Sequence, residues 1–478
     1  MTDVSAVTKP APAAESRPSN NGAQRKLFGT DGVRGVANSE LSPQVAMALG
    51  AAAAQALLRH DHRAAGKQPS VIVGRDPRLS GDLLGAALMA GLCSQGISVI
   101  DIGVIPTPGV SHVTQQLGAA AGVVISASHN PVQDNGIKFF GPDGAKLADS
   151  VEAEIEAALA TWESIHRPTG AAVGRITRTA EPTVAYQRFL EESIAPVRLD
   201  GLKLVVDCAN GAASTVAPTV LRELGAEVIL LAAEPDGVNI NADCGSTHPE
   251  MMAARVLAEG ADAGMAFDGD ADRVILADER GRIFDGDHTL CTLGIYLAGQ
   301  GRLTNNVVVG TVMSNLGLEA ALTAAGIRLV RAPVGDRYVH EQMDLHGAVI
   351  GGEKSGHILL PHLSPTGDGL LTGLQVLRIV HESGRPLSAW SDEMTEFPQK
   401  LVNIRVLQKE GWQEIPAVAE ALRAAELRLE GRGRIFVRPS GTEKMIRVMA
   451  EGPDAAEVDE LVALVADALR KHIGERRG

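Results

Sequence analysis

The chain has 478 residues, 45% of them hydrophobic and only 3% aromatic, with 52 glycines and a formal net charge of −14. That length supports several cored domains, and a Gly-rich chain poor in aromatics suits helices packed closely on sheets better than an all-β sandwich. Net acidity argues against nucleic acid as the main partner, so any phosphate must be met by a local focus of positive charge.

Residues 1 to about 24 are rich in Ala, Pro, Ser and Asn and lack the apolar segment of a signal peptide; they read as a disordered tail. "FGTDGVRG" (28–35) follows. Its glycines permit tight turns and backbone approach to an anion, and Arg34 adds charge, although an ordinary Gly loop before a helix near Ser42-Pro43 reads equally well. The Ala-rich run Val45 to Leu58 is too short to span a bilayer, and no membrane association is expected. In "GRDPRLSG" (74–81), Arg75 and Arg78 suit an anion site or plain structural ion pairs.

Three stretches, beginning near Val71, Leu204 and Val307, each read as strand, turn, apolar-periodic helix and second strand. Such units demand a parallel strand pair with a crossover. Spaced more than one hundred residues apart, they predict three successive, similar α/β domains with mixed sheets rather than a solenoid. Residues 401–407, 433–441 and 444–452 read as strands, with helices over 415–426 and 455–471, so a smaller α+β domain ends the chain. The expected division is 25–180, 181–285, 286–395 and 396–478.

Each unit carries one chemically rich loop. In "GVVISASHNPVQDNGIKFFG" (122–141) an apolar strand stops at Ser128, His129 and Asn130, and Pro131 biases Asn130 away from helix. Ser128 is a candidate nucleophile or phosphate carrier, and a simple hairpin turn is the competing reading. Lys138, inside the next apolar run, must snorkel or find a partner. No Gly-x-Ser-x-Gly surrounds Ser128, so a hydrolase triad is not indicated.

In "FDGDADR" (267–273) Asp268, Asp270 and Asp272 alternate, which in an extended chain aims three carboxylates to one side. They repel unless a cation compensates, which favours a hard divalent metal such as Mg²⁺. An EF-hand is excluded, because Arg273 stands at the loop position that requires Gly, and Val274 to Ala277 reads as a strand.

"GGEKSGH" (351–357) places Glu353, Ser355 and His357 among glycines, as sugar-hydroxyl recognition or a polar turn. "RPSGTEKMIR" (438–447) offers Arg438, Ser440, Gly441, Thr442 and Arg447 as a phosphate cradle or a hairpin turn. One such loop per domain suggests four domains around a central cleft. Four scattered cysteines with no metal or redox spacing fit a reduced, cytoplasmic setting.

Taken together in this order, "KLFGTDGVRG", "ISASHNPVQDNGIKFF", "FDGDADR", "GGEKSGH" and "RPSGTE" resemble the α-D-phosphohexomutase superfamily, from about Lys26 to the end of the chain. "DGVNINADCGSTHPE" (236–250) and "APVGDRYV" (332–339) resemble its phosphoglucosamine mutase branch. The resemblance implies that Ser128 carries phosphate and that Asp268, Asp270, Asp272 and the Ser128 phosphate hold one Mg²⁺. It implies that Glu353 and Ser355 read the sugar. Arg438, Ser440, Gly441, Thr442 and Arg447 would then grip the non-reacting phosphate. Lys354 and Lys444 depart from the family pattern, where Gln and Pro are usual.

The implied reaction interconverts glucosamine 6-phosphate and glucosamine 1-phosphate through glucosamine 1,6-bisphosphate, feeding UDP-N-acetylglucosamine and cell-wall synthesis. Lys138 is the first choice for proton handling, its pKa lowered by burial beside cations, helped by Arg34 and His129; Arg273 supplies further charge. The alternatives are a phosphoglucomutase/phosphomannomutase, a noncatalytic sugar-phosphate sensor and a Mg²⁺ phosphatase. The partners expected are small sugar phosphates, and monomer and homodimer both remain open.

Overall fold

A computed structural model describes residues 27–29, 31–60, 69–439 and 444–475. The tail expected over residues 1–24, and Ser440, Gly441 and Thr442, lie outside the described residues.

The first sheet has six strands in the spatial order Val33–Val36, Asp134–Phe140, Ala121–Ile125, Ser70–Arg75, Ser98–Val104, Ile176–Arg178. Ser70–Arg75 pairs parallel with Ser98–Val104 and with Ala121–Ile125, while Asp134–Phe140 returns antiparallel. The second sheet runs Ile283–Phe284, Val274–Asp278, Ala263–Phe267, Lys203–Asp207, Glu227–Leu231. The third runs Arg328–Ala332, Val307–Thr311, Gly351–Gly352, Ile358–Leu359. The expected β-α-β units near Val71, Leu204 and Val307 are present, and each pairs its two strands in parallel.

The repeat extends further than the sequence pattern indicated. In each domain a second helix follows: Thr107–Gln116, Glu250–Glu259 or Asp336–His346. It leads into a third strand, parallel to the first, which immediately turns back as a hairpin. The unit is therefore β-α-β-α-β-β. The Ser128, Asp268 and Glu353 loops are the three hairpin turns. All three leave the carboxyl end of a parallel strand, the end at which open α/β sheets bind ligands.

Packing follows from the period-two alternation of the strands. Val71, Val73, Val123 and Ile125 face one core with the helices Pro43–His60 and Leu79–Ser94. Ile72 and Val124 face the opposite side, where one apolar cluster continues through Leu204, Phe267, Leu290, Val308 and Leu374. The first three domains thus share a core. The C-terminal domain has its own, around Ile404, Ile446, Val448, Leu461 and Val465. Its strands Gln399–Arg405, Met445–Glu451 and Arg434–Pro439 pair antiparallel, with helices Pro416–Leu429 and Ala455–Ile473, as expected. It joins the third domain through the fully buried Glu451, which accepts from Leu316 N at 3.2 Å and pairs with Arg434. Arg434 also donates to the Val312 and Ser314 carbonyls at 3.0 and 2.8 Å.

The Ala-rich helix Pro43–His60 lies unusually close to Leu79–Ser94. A Cβ on Gly91 would overlap the Met47 carbonyl and lie 2.9 Å from Ala51 N. Backbone cannot swing away as a flexible side chain can. Gly91→Ala is therefore expected to destabilise the first domain by about 1–3 kcal/mol, the usual cost of overpacking; urea unfolding of the variant checks this.

Candidate functional site

The three hairpin turns converge on one cleft of about 910 Å³, lined by residues of the first three domains that include Asp31, Arg34, His129, Asp272, Arg273, Glu353 and His357. Ser128, next to the lining residue His129, is 1% exposed, with a left-handed φ of 53°. The turn is fixed from below: Ser126 Oγ accepts from Ser128 N at 2.9 Å and donates to Asp76 Oδ2 at 2.6 Å. Ser128 Oγ donates to Asp268 Oδ2 at 2.5 Å and lies 3.2 Å from His129 Nδ1. Burial, with Arg273 and Arg34 nearby, drops the His129 pKa to about 4, so its ring is neutral.

Asp268, Asp270 and Asp272 are all buried and bring ligand oxygens within 4.8 Å of one another. The cause is not extended alternation, as the sequence suggested. Residues 268–273 form a turn in which Ala271 takes φ 55° and its N–H donates to the Asp268 carbonyl at 3.1 Å. Thr107 holds Asp270 twice, through Oγ1 to Oδ2 at 2.7 Å and through its N–H to the Asp270 carbonyl at 2.9 Å. Burial, then Asp272 and Asp270, push the Asp268 carboxyl well above the carboxylate range. This is the electrostatic signature of a group that needs a cation. Asp270 Oδ1 and Asp272 Oδ1 are buried without hydrogen-bond partners, so the donor set fits an oxygen-preferring divalent ion.

Lys138 reaches this centre from the return strand of the first hairpin, 2% exposed, with Nζ 3.0 Å from both Asp270 Oδ2 and Asp31 Oδ2. The expectation of a lowered pKa is reversed. Burial does act downward, but Asp270, Asp31 and Asp272 outweigh it and hold the ammonium charged. Its neighbours are mainly anions, with Arg34 the cation among them.

The charges alternate around a closed ring. Lys138 pairs with Asp31 at 3.0 Å, Asp31 with Lys146 at 2.7 Å, and Lys146 with Asp336 at 2.7 Å. His357 lies 3.8 Å from Asp336 and 3.6 Å from Asp272, and Asp272 lies 3.8 Å from Lys138. Burial disfavours charged His357, yet Asp272 and Asp336 raise its pKa to about 9. The ring spans all three α/β domains. Sequence reading passed over Asp31, Lys146, Asp336 and Thr107. Asp31 and Asp336 stood inside the quoted "FGTDGVRG" and "APVGDRYV", whereas Lys146 and Thr107 had no local signal.

Glu353 faces the cleft and accepts from Gly335 N at 2.8 Å; Ser355 Oγ donates to it at 3.3 Å. Lys354 points elsewhere, pairing with Glu396 at 2.6 Å and Asp285 at 3.4 Å. Arg438 and Arg447 are direct cross-strand partners, a repulsive arrangement unless an anion bridges them. Burial and Arg447 lower the Arg438 pKa, while Glu353 opposes them. Lys444 is exposed.

Among the described residues, seven of the ten buried side-chain atoms without partners belong to this region. Two are carboxylate oxygens, of Asp270 and Asp272. Five are nitrogens of cationic or imidazole groups: Arg34 Nε, Arg273 Nε, His357 Nε2, Arg438 Nε and Arg447 Nε. Asp272 Oδ1 lies 3.6 Å from His357 Nδ1 and 3.7 Å from Arg273 Nε, beyond hydrogen-bond length, so the carboxylate set still suits a cation and the nitrogen set an anion.

The ring makes a stability prediction. Lys146→Met and Asp336→Asn should each destabilise, since each removes one of the partner's two opposite charges in the ring, while the double variant should lose less than the sum. The expected non-additivity is about 0.5–3 kcal/mol, read from a double-mutant cycle in chemical denaturation.

Comparison with known proteins agrees across the chain. Four profiles of the phosphoglucomutase/phosphomannomutase family match in order: alpha/beta/alpha domain I at residues 25–166, domain II at 185–281, domain III at 285–397 and the C-terminal domain at 401–468. The phosphoglucosamine mutase of Moorella thermoacetica is 54% identical over 441 residues, covering 92% of this chain and 98% of the relative. That of Heliobacterium modesticaldum is 50% identical over 463 residues, covering 93% and 99%. In fold, a phosphoglucomutase/phosphomannomutase family protein from Burkholderia thailandensis superposes with TM-score 0.76 at 23% identity, covering 95% of this chain and 100% of that one. N-acetylphosphoglucosamine mutase of Aspergillus fumigatus, solved with GlcNAc-6P and magnesium, superposes with TM-score 0.65 at 19% identity, covering 93% and 95%. With this similarity along its length, the chain belongs to the phosphoglucomutase/phosphomannomutase family, in its phosphoglucosamine mutase branch.

Proposed function

We propose that this chain interconverts glucosamine 6-phosphate and glucosamine 1-phosphate through a phosphorylated Ser128 and glucosamine 1,6-bisphosphate. The observation that carries this is the sorting of unpartnered buried atoms into a carboxylate pair beside Ser128 and two groups of cationic donors. A mutase that returns its second phosphate to the enzyme needs two phosphate sites. Arg34, Arg273 and Lys138 serve the transferring group, and Arg438 with Arg447 serves the group at rest.

Asp268, Asp270 and Asp272, with the Ser128 phosphate, are the residues that would hold Mg²⁺. When bound, the ion supplies charge neutralisation for the transferring phosphoryl oxygens. In the first half-reaction the bond from Ser128 Oγ to phosphorus breaks and a bond from sugar O1 to phosphorus forms. The proton of the sugar hydroxyl ends on Ser128 Oγ. His129, neutral and 3.2 Å from that oxygen, is placed to pass the proton, while Lys138 remains charged and neutralises. The bisphosphate then turns over, and its O6 phosphate returns to Ser128. Glu353, Ser355 and His357 meet the sugar from the third domain in both orientations.

We also propose the functional division 25–180, 181–285, 286–395 and 396–478. The four cysteines are all buried and unpaired, which suits a reducing cytoplasm. Among the described residues no helix is long and apolar enough to cross a membrane.

Purified protein should carry a removable increment of about 80 Da on Ser128, one phosphate. With Mg²⁺ and a sugar bisphosphate it should turn over glucosamine 6-phosphate faster than glucose 6-phosphate. Ser128→Ala should lose both the increment and turnover, and His129→Gln should cost about 10²–10⁴-fold in kcat. Equal rates on the two sugars would point instead to a general hexose phosphomutase. Chelation should abolish turnover. Restored Mg²⁺ at 100 times its Kd should raise stability by about 2.7 kcal/mol, an increment that Asp268→Asn should lack in thermal melts.

A further inference from the structure

The stretch 236–250 has no role in the chemistry above, yet it touches the nucleophile's loop directly. Asn241 Nδ2 donates to the Ser128 carbonyl at 2.9 Å and to the Asn130 carbonyl at 3.1 Å. Arg78 Nη2 donates to the same two carbonyls, at 2.9 and 2.8 Å. Each nitrogen has two N–H groups, and each carbonyl oxygen has two lone pairs. Two donors and two acceptors therefore saturate one another in a closed square. Because both acceptors are carbonyl oxygens, the amide nitrogen of Asn241, and not its oxygen, must face them.

Both corners are themselves fixed. The Arg78 side chain is fully buried. It pairs with Asp76 through Nε at 2.9 Å and donates through Nη1 to the Pro131 and Asp134 carbonyls at 2.6 and 3.1 Å. Asn241 takes a left-handed φ of 57°, and its own N–H donates to the Ala209 carbonyl at 2.9 Å. Gly269, in the metal loop, closes the third side. A Cβ there would lie 2.6 Å from the Ser128 carbonyl and 2.9 Å from Asn241 Nδ2. The Ser128 carbonyl is thus held between donors from two domains and the backbone of the carboxylate turn.

We propose that Asn241 and Arg78 form a carbonyl clamp that sets the orientation of Ser128 against the metal loop, and that Asn241 is a positioning residue for phosphoryl transfer. This rests on the phosphoserine reading above. The clamp acts on the backbone of the residue whose side chain carries the phosphate, so its loss rotates the phosphoryl group relative to Asp268 and Arg273. Misplacement on the scale of 1 Å is costly in a reaction that depends on in-line geometry. The residues proposed above to hold the sugar and the resting phosphate lie on the third and fourth domains and take no part in the clamp.

The test compares Asn241→Ala and Asn241→Asp with wild type. The readouts are kcat and KM for glucosamine 6-phosphate, melting temperature, and the rate at which Ser128 loses its phosphate to water, followed by intact mass. Asn241→Ala is expected to lower kcat at least about tenfold with KM within about twofold, and to change the phosphoserine hydrolysis rate. Asn241→Asp keeps the shape but presents two acceptor oxygens to two carbonyls, so its kcat is expected to fall below that of Asn241→Ala. A packing role predicts the opposite order.

Wild-type kcat in the Ala variant, or a higher kcat for Asp than for Ala, overturns the clamp. If the Asp variant does not fold, the kcat-against-KM split of the Ala variant decides alone. Wild-type protein without phosphoserine and without bisphosphate-stimulated turnover would overturn the underlying reading and the clamp with it. Phosphorylated, active wild type with unaffected variants overturns only the clamp.

Discussion

Three carboxylates buried within 4.8 Å of one another are the constraint around which the site is organised. In a low-dielectric interior such a group is tolerable only when positive charge surrounds it. The chain brings that charge from separate places: Lys138 from the neighbouring hairpin, Arg273 from the end of the same turn, and His357 from the third domain. Asp31, Lys146 and Asp336 then balance the balancers, so that no cation in the ring lacks an anion. The ring still leaves Asp270 Oδ1 and Asp272 Oδ1 without a hydrogen bond, Asp272 Oδ1 meeting His357 and Arg273 only at 3.6 and 3.7 Å. Electrostatic compensation within the carboxylate cluster is therefore incomplete, and a metal and a phosphate would complete it together.

Topology explains why these pieces meet. Each of the first three domains ends its parallel ladder with a strand that turns straight back as a hairpin. The return strand of each hairpin is buried, so the turn between the two strands is left at the carboxyl edge, where its polar residues meet those of the other domains. The C-terminal domain has a different build and contributes differently. Its antiparallel ladder sets Arg438 beside Arg447 and attaches to the third domain through the buried Glu451 and Arg434.

Local chemistry was legible in the sequence wherever the required residue types sat close together. The Asp268-Asp270-Asp272 spacing, the break at Ser128 and the lysine inside an apolar strand all pointed to residues that the fold brings together. The β-α-β units were legible because apolar period and turn residues are local. What escaped were properties set by distant parts of the chain. The third strand and hairpin of each unit looked like separate elements, since only pairing reveals that they extend one sheet. The Asp turn was mistaken for extended chain because the left-handed Ala271 has no sequence signature. The charge state of Lys138 was inverted for the same reason: Asp31 stands 107 positions earlier and Asp270 132 positions later, and neither proximity is visible before folding. Arg78 could be read as a structural ion-pair partner, but its hold on four carbonyls of the Ser128 loop could not.

The square formed by Arg78, Asn241 and the carbonyls of Ser128 and Asn130 crosses the border between the first two sheets. Its two donors are separated by 163 positions, yet neither carbonyl is fully satisfied unless both are present. The units that fold as domains are consequently not the units that can be inherited separately. A chimaera that took its first domain from one relative and its second from another would splice two loops selected against different partners. For this architecture, modular exchange is expected to succeed at the junction before the C-terminal domain, with its independent core, and to fail between the first two domains, where Asn241, Thr107 and Lys138 bond across a shared core.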